Sequence, residues 1–190
     1  MARFSRAELE SFRDAEVPDL IGDDVRLLFV GINPGLWTAA TQTHFAHPVN
    51  RFYPALLRAG ILERAIDPAA GMSDEDRAYV RGRGIGITNL VRRATARADE
   101  LTREELRVGA EQLRATVERA APRVVAVAGI TAYRQAFGLP KAVTGLQPER
   151  LAGAELWVVP NPSGLNAHHT VETLAVEYAA PARAAGLLSA

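Results

Sequence analysis

The chain has no cysteine, which excludes disulfides, thiolate zinc sites and iron–sulfur clusters. It has no net charge, with 22 basic and 22 acidic residues, and so no uniformly basic surface for gripping nucleic acid. Lys141 is its only lysine. No apolar run reaches the roughly 20 residues that span a bilayer. Residues Met1 to Glu10 also lack the apolar stretch of a secretory signal. The expectation is a cytoplasmic protein with no membrane partner. A length of 190 residues suits one domain with a proper core better than two.

The charges that are present are segregated. Glu8 to Asp24 carries seven acids against one base, Arg13, whereas Arg77, Arg81, Arg83, Arg92, Arg93 and Arg97 follow one another without an intervening acid. Taken alone, the arginine run reads as a solvated face. A basic block inside a neutral chain can also track a phosphate backbone, and Arg92 and Arg93 are the candidates for that role.

Four apolar runs bounded by turn residues read as buried strands: Arg26 to Val30, Ile85 to Leu90, Arg123 to Ala128 and Leu156 to Val159. They are apolar throughout, as in a parallel sheet covered on both faces. Helical periodicity predicts helices over Glu8 to Glu16, Asn50 to Ala59, Thr102 to Ala120, Thr131 to Phe137 and Val171 to Leu188. Thr102 and Glu105 have capping-box spacing, and Pro181 should kink or interrupt the last helix. Gly138 to Gly153 reads as a surface connection. Strands alternating with helices predict a single-domain three-layer α/β/α sandwich around a short, mainly parallel sheet.

In such sheets ligands bind beyond the carboxyl ends of the strands, and two stiff Asn-Pro turns lie there. Gly31-Ile-Asn-Pro-Gly35 follows the first strand and Asn161-Pro-Ser-Gly-Leu165 the last. The first loop lacks G-x-G-x-x-G, and Pro34 removes a backbone donor, which weakens a dinucleotide reading. His44, His47, His168 and His169 sit in or beside the loops, but with no neighbouring carboxylates to complete a metal site. Ser163 lacks the G-x-S-x-G context of a serine nucleophile and reads as a turn serine. No metal or cofactor is expected.

Gly31 to Leu36, Phe45-Ala-His-Pro-Val-Asn-Arg-Phe52, Gly86-Ile-Thr-Asn-Leu-Val91 and Pro160 to Leu165, in that order, resemble the mismatch-specific uracil-DNA and thymine-DNA glycosylase family. The resemblance runs from about Val25 to the C-terminal helix and leaves residues 1–24 outside as an N-terminal extension. It implies a monomeric, monofunctional glycosylase in base-excision repair. Its partner would be double-stranded DNA containing uracil or a mismatched pyrimidine, and its product an abasic site. No lysine stands at a matched position, so strand cleavage through a Schiff base is not expected.

The resemblance also assigns roles. Asn33 would orient the attacking water, since an amide oxygen accepts a hydrogen bond but cannot take the proton. On that chemistry alone, Asn33→Asp should do less damage than Asn33→Ala. Phe45 would stack on the flipped pyrimidine, with Asn89 and backbone donors near Ile32 and Phe45 at its edge. Thr38 and Ala39 match positions beside the ring carbon that carries thymine's methyl. Asn161 opens a loop over the deoxyribose, Ser163 and Gly164 approach the DNA backbone, and Leu165 is the wedge that fills the vacated stack. Bacterial relatives commonly carry arginine where this chain has Ala167, leaving Asn166 or His168 to face the opposite base. Asp99, downstream of the third motif, is a candidate to assist water activation, with helix capping by Asp99 or Glu100 the alternative. Two other readings stay open: a non-catalytic nucleic-acid-binding module and a metal-dependent hydrolase.

Overall fold

The computed structural model describes residues 4–189. Its centre is a five-stranded sheet in the order β2-β1-β3-β5-β4. The strands are β1 (Leu27–Gly31), β2 (Ile85–Asn89), β3 (Val124–Ala128), β4 (Gly145–Leu151) and β5 (Ala154–Val159). All neighbours pair in parallel except β4 with β5. Alternate residues of each buried strand face opposite layers. Leu27 and Phe29 of β1, with Ile85, Ile87, Val124 and Ala126, enter one core, whereas Leu28, Val30, Val125 and Val127 enter the other.

The helices are α1 (Arg6–Glu10), α2 (Leu36–Thr41), α3 (Phe52–Arg58), α4 (Asp74–Gly82), α5 (Arg103–Ala120), α6 (Ile130–Phe137) and α7 (Val171–Ala184). The pair α3 and α7 covers the first core, and α5 with α6 covers the second, giving the three-layer α/β/α arrangement. Thr102 caps α5 through a complete capping box with Glu105. Pro181 lies inside α7 without ending it, and the helix stops at Ala184, short of Leu188.

Two expectations change. The N-terminal helix is shorter and earlier than Glu8 to Glu16, because Ser5 caps it at Arg6 and the chain leaves it after Glu10. The following segment lies against the sheet edge, with isolated bridges joining Glu16 to Arg93 and Leu20 to Ile87. Gly138 to Gly153 is not merely a connection, since it contains the edge strand β4. That strand buries only Gln147 and Leu151, and its register slips between Leu146 and Arg150, around Pro148. A polar, proline-containing edge strand carries no apolar run to betray it.

β1 lies between β2 and β3, so the chain passes from β1 outward to β2 and then returns across β1 to β3, reversing the strand order. That switch opens a crevice beyond the carboxyl ends of the strands.

Candidate active site

The crevice is a cleft of about 600 Å³. Gly31, Asn89, Ala128 and Asn161, each at or just past the end of a parallel strand, form its floor, and Asn33, Phe45 and Leu165 are among the residues that close around it. The sheet thus brings together all four motif segments, with Thr95 to Asp99 from the stretch after the third.

Asn33 is held by its nitrogen. Nδ2 lies 2.7 Å from Thr95 Oγ1 and 3.1 Å from each of the carbonyl oxygens of Pro34 and Arg93. Carbonyls only accept, and the Thr95 hydroxyl proton is already donated to the Arg97 carbonyl at 2.7 Å. All three partners therefore require the amide nitrogen on their side. Oδ1 has no hydrogen-bond donor among the described residues and is not sealed from solvent, so it is available in the cleft.

Phe45 presents one ring face to Phe52, stacked at 4.1 Å and 26° between planes, and also lines the cleft. Its backbone occupies the left-handed region at φ 56°, and its N–H has no protein acceptor among the described residues. The Asn89 amide comes so close to Gly31 that a Cβ there would stand 2.4 Å from Asn89 Oδ1. Glycine at 31 is thus a requirement of that amide's placement. Asn89 Nδ2 lies 3.2 Å from His44 Nδ1, and His44 Nε2 lies 2.9 Å from the Pro18 carbonyl. His44 is buried, and burial lowers its pKa, which keeps the ring neutral. Ile32 and Thr38 complete this end, whereas Ala39 is turned away into a cluster with Val17, Leu36 and Ala94.

The second loop arches over the opposite end. Asn161 Oδ1 accepts the Ser163 N–H at 3.0 Å, and Asn166 Nδ2 donates to the Asn161 carbonyl at 2.9 Å. Leu165 stands at the tip, 88% exposed. Beneath it, the Arg51 guanidinium donates to the carbonyls of Asn166 and His169 at 2.9 Å and of Ser163 at 3.4 Å. A Cβ on Gly164 would lie 2.4 Å from Val49 Cγ2, so the loop seats directly on Val49. His168 is exposed and does not line the cleft, whereas Asn166 does.

Neither Arg92 nor Arg93 lines the cleft, and both pair with acids of the chain. Arg92 pairs with Asp19 at 3.1 Å, and Arg93 with Asp14 at 2.9 Å and Glu105 at 2.5 Å. Asp14 and Asp19 of the N-terminal segment thus pair with Arg93 and Arg92. Asp99 does line the cleft, paired with Arg97 at 2.6 Å with both side chains largely exposed. It caps no α-helix: Thr102 caps α5, and Glu100 accepts the Arg97 N–H of the short 3-10 turn Ala98–Glu100.

His44, Val49, Arg51 and Thr95 escaped the sequence reading as site residues. Only Arg51 left a trace: no acid occurs between Val25 and Leu62, so its charge has no local partner. The two histidines weighed as a metal pair are used otherwise. Both His44 nitrogens are in hydrogen bonds, and His47 stands edge-on to Trp37 at 5.6 Å.

The fold is similar to a solution NMR structure of a candidate uracil DNA glycosylase from Methanosarcina acetivorans. The two share 16% identity and a TM-score of 0.61, covering 90% of this chain and 96% of that one. The family model of the uracil DNA glycosylase superfamily matches residues 18–180, beginning within the N-terminal segment that pairs with Arg92 and Arg93. With that match spanning most of its length, the chain belongs to the uracil DNA glycosylase superfamily.

Proposed function

We propose that the protein is a monofunctional glycosylase of the mismatch-specific type, which flips uracil out of duplex DNA and hydrolyses its bond to deoxyribose. The observation that carries this reading is the free Oδ1 of Asn33 in one cleft with the ring of Phe45 and the amide of Asn89.

Water adds to the anomeric carbon as the bond to the base breaks, and the bonding electrons leave with the base. Asn33 Oδ1 accepts a hydrogen bond from that water and aims it without removing its proton, so the rate gain is one of orientation. The Asn89 amide and the Phe45 N–H face the pyrimidine edge, where the departing base gains negative charge. Phe45, backed by Phe52, offers a stacking face for the extruded ring. Asp99 enters as the carboxylate of the cleft lining, held from the water by its pairing with Arg97 until DNA phosphate competes for that arginine. Leu165 fills the gap in the stack. The sole lysine, Lys141, is exposed outside the cleft, which supports base release without Schiff-base strand cleavage.

The test is a panel of oligonucleotides carrying uracil opposite guanine, opposite adenine and in single strands, with and without a chelator. The expected result is base release leaving an alkali-labile site, favoured opposite guanine and indifferent to chelator. Binding without release would favour the non-catalytic module, and loss of activity with chelator the metal hydrolase.

A further inference from the structure

Asn89 is useful to a glycosylase only if its amide points one way. An acceptor and a donor side by side complement the N3–H and O4 of uracil. The same amide flipped would complement N3 and the exocyclic amine of cytosine. Nothing in the Asn89 side chain itself prefers either orientation.

The choice is made behind it. The Pro18 carbonyl can only accept, so His44 Nε2, at 2.9 Å, must carry the ring proton. In the neutral ring Nδ1 then bears a lone pair, which accepts from Asn89 Nδ2 at 3.2 Å. The ring is packed in place. It is 4% exposed, and its own carbonyl takes a hydrogen bond from the buried Tyr53 hydroxyl at 3.1 Å. Flipping the Asn89 amide would set Oδ1 against that lone pair.

We propose that His44 is a positioning residue: its Nε2–H tautomer, fixed by the Pro18 carbonyl, locks the Asn89 amide in the orientation that accepts from N3–H and donates to O4 and so rejects cytosine. The substrate half of this proposal rests on the glycosylase reading above; the tautomer half does not.

Two measurements test it. In the full chain, long-range proton–nitrogen NMR correlations of the His44 ring should show Nε2 protonated and Nδ1 bare. An Nδ1-protonated or doubly protonated ring at neutral pH overturns the proposal whether or not the protein releases uracil. Single-turnover uracil release is then compared for His44→Phe and His44→Asn, with melting temperatures confirming the fold of each. Phenylalanine fills the space but offers no acceptor, and one lost neutral hydrogen bond predicts a fall of about tenfold. Asparagine packs worse, yet its Oδ1 falls where Nδ1 was, and it should recover most of the rate. A merely structural role for His44 predicts the reverse order, and that order overturns the proposal. Cytosine-containing duplexes should become measurable substrates for His44→Phe only; rejection of cytosine unchanged in that variant counts equally against it. A parent protein that releases no uracil overturns the glycosylase reading instead, with the NMR result still deciding the tautomer.

Discussion

Asn33 donates to Thr95 across 2.7 Å, and Thr95 passes the polarity on by donating to the Arg97 carbonyl at the same distance. The hydroxyl is buried at 1% exposure and makes both bonds at once. Thr95→Val keeps the shape but removes the acceptor, so the Asn33 amide loses its shortest restraint. Single-turnover base release should fall about tenfold, with DNA affinity unchanged and Thr95→Ser near the parent. Equal rates for valine and serine would mean that the Pro34 and Arg93 carbonyls suffice.

Asn33→Ala should reduce base release by about 10²–10⁴-fold, the usual range for a positioned proton-handling group. DNA binding should persist through Leu165 and Phe45. The structure reverses the expectation for Asn33→Asp. Side-chain chemistry alone makes a carboxylate a tolerable substitute, but one of its oxygens would face three acceptors where Nδ2 now donates. Asn33→Asp should therefore be as impaired as Asn33→Ala, or carry a raised pKa that keeps it protonated. Near-parental activity of Asn33→Asp at neutral pH would show that the loop rearranges to accept it.

Glu105 shows what the arginine run does. Hydrogen bonding from Arg93, reinforced by the Thr102 N–H, pushes its carboxyl down to about 2 from the usual 4.5. A folded pKa below the unfolded one gives stability that is complete above about 4.5 and lost as pH falls towards 2. Arg93→Ala removes the leading cause, so acid unfolding followed by circular dichroism should begin at higher pH. The same variant should leave the salt dependence of DNA binding unchanged, because Arg93 is already paired with Asp14 and Glu105. A slope reduced by about one unit would restore the phosphate role.

These cases mark where the sequence was legible. Strands β1, β2, β3 and β5 could be read because burial on both faces forces an apolar run, and α5 because Thr102 and Glu105 announce its start. Asn33, Asn89 and Asn161 could be placed because strand ends carry them to one edge of the sheet, whereas Phe45, between α2 and α3, rested on the motif resemblance alone. The partners that orient them could not. Thr95 lies 62 positions from Asn33, and His44 45 positions from Asn89, and nothing local distinguishes either from an ordinary buried polar residue. The pairing of the basic segment was hidden for the same reason: Arg92 and Arg93 sit 73 and 79 positions from their partners Asp19 and Asp14.

The Arg51 clamp gives the last prediction. Its guanidinium converges on carbonyls of the loop that carries Leu165 and has no carboxylate partner among the described residues. Leu165→Ala should lower turnover on duplex more than on single strands, because only a duplex must be held open after the base leaves. Arg51→Met keeps the aliphatic stem but releases the carbonyls, so the wedge remains present but unheld. It should reproduce the same duplex-selective loss, with little change in melting temperature because the loop lies outside both sheet-facing cores. Arg51→Lys should fall between, since an ammonium keeps the charge but cannot reach several carbonyls in one plane. If Arg51 acts through the wedge, the double variant should lose no more than the worse single variant; independent roles would make the losses multiply. Equal losses on duplex and single strands in Arg51→Met would place the arginine in support of the whole cleft, and Leu165 would then stand without it.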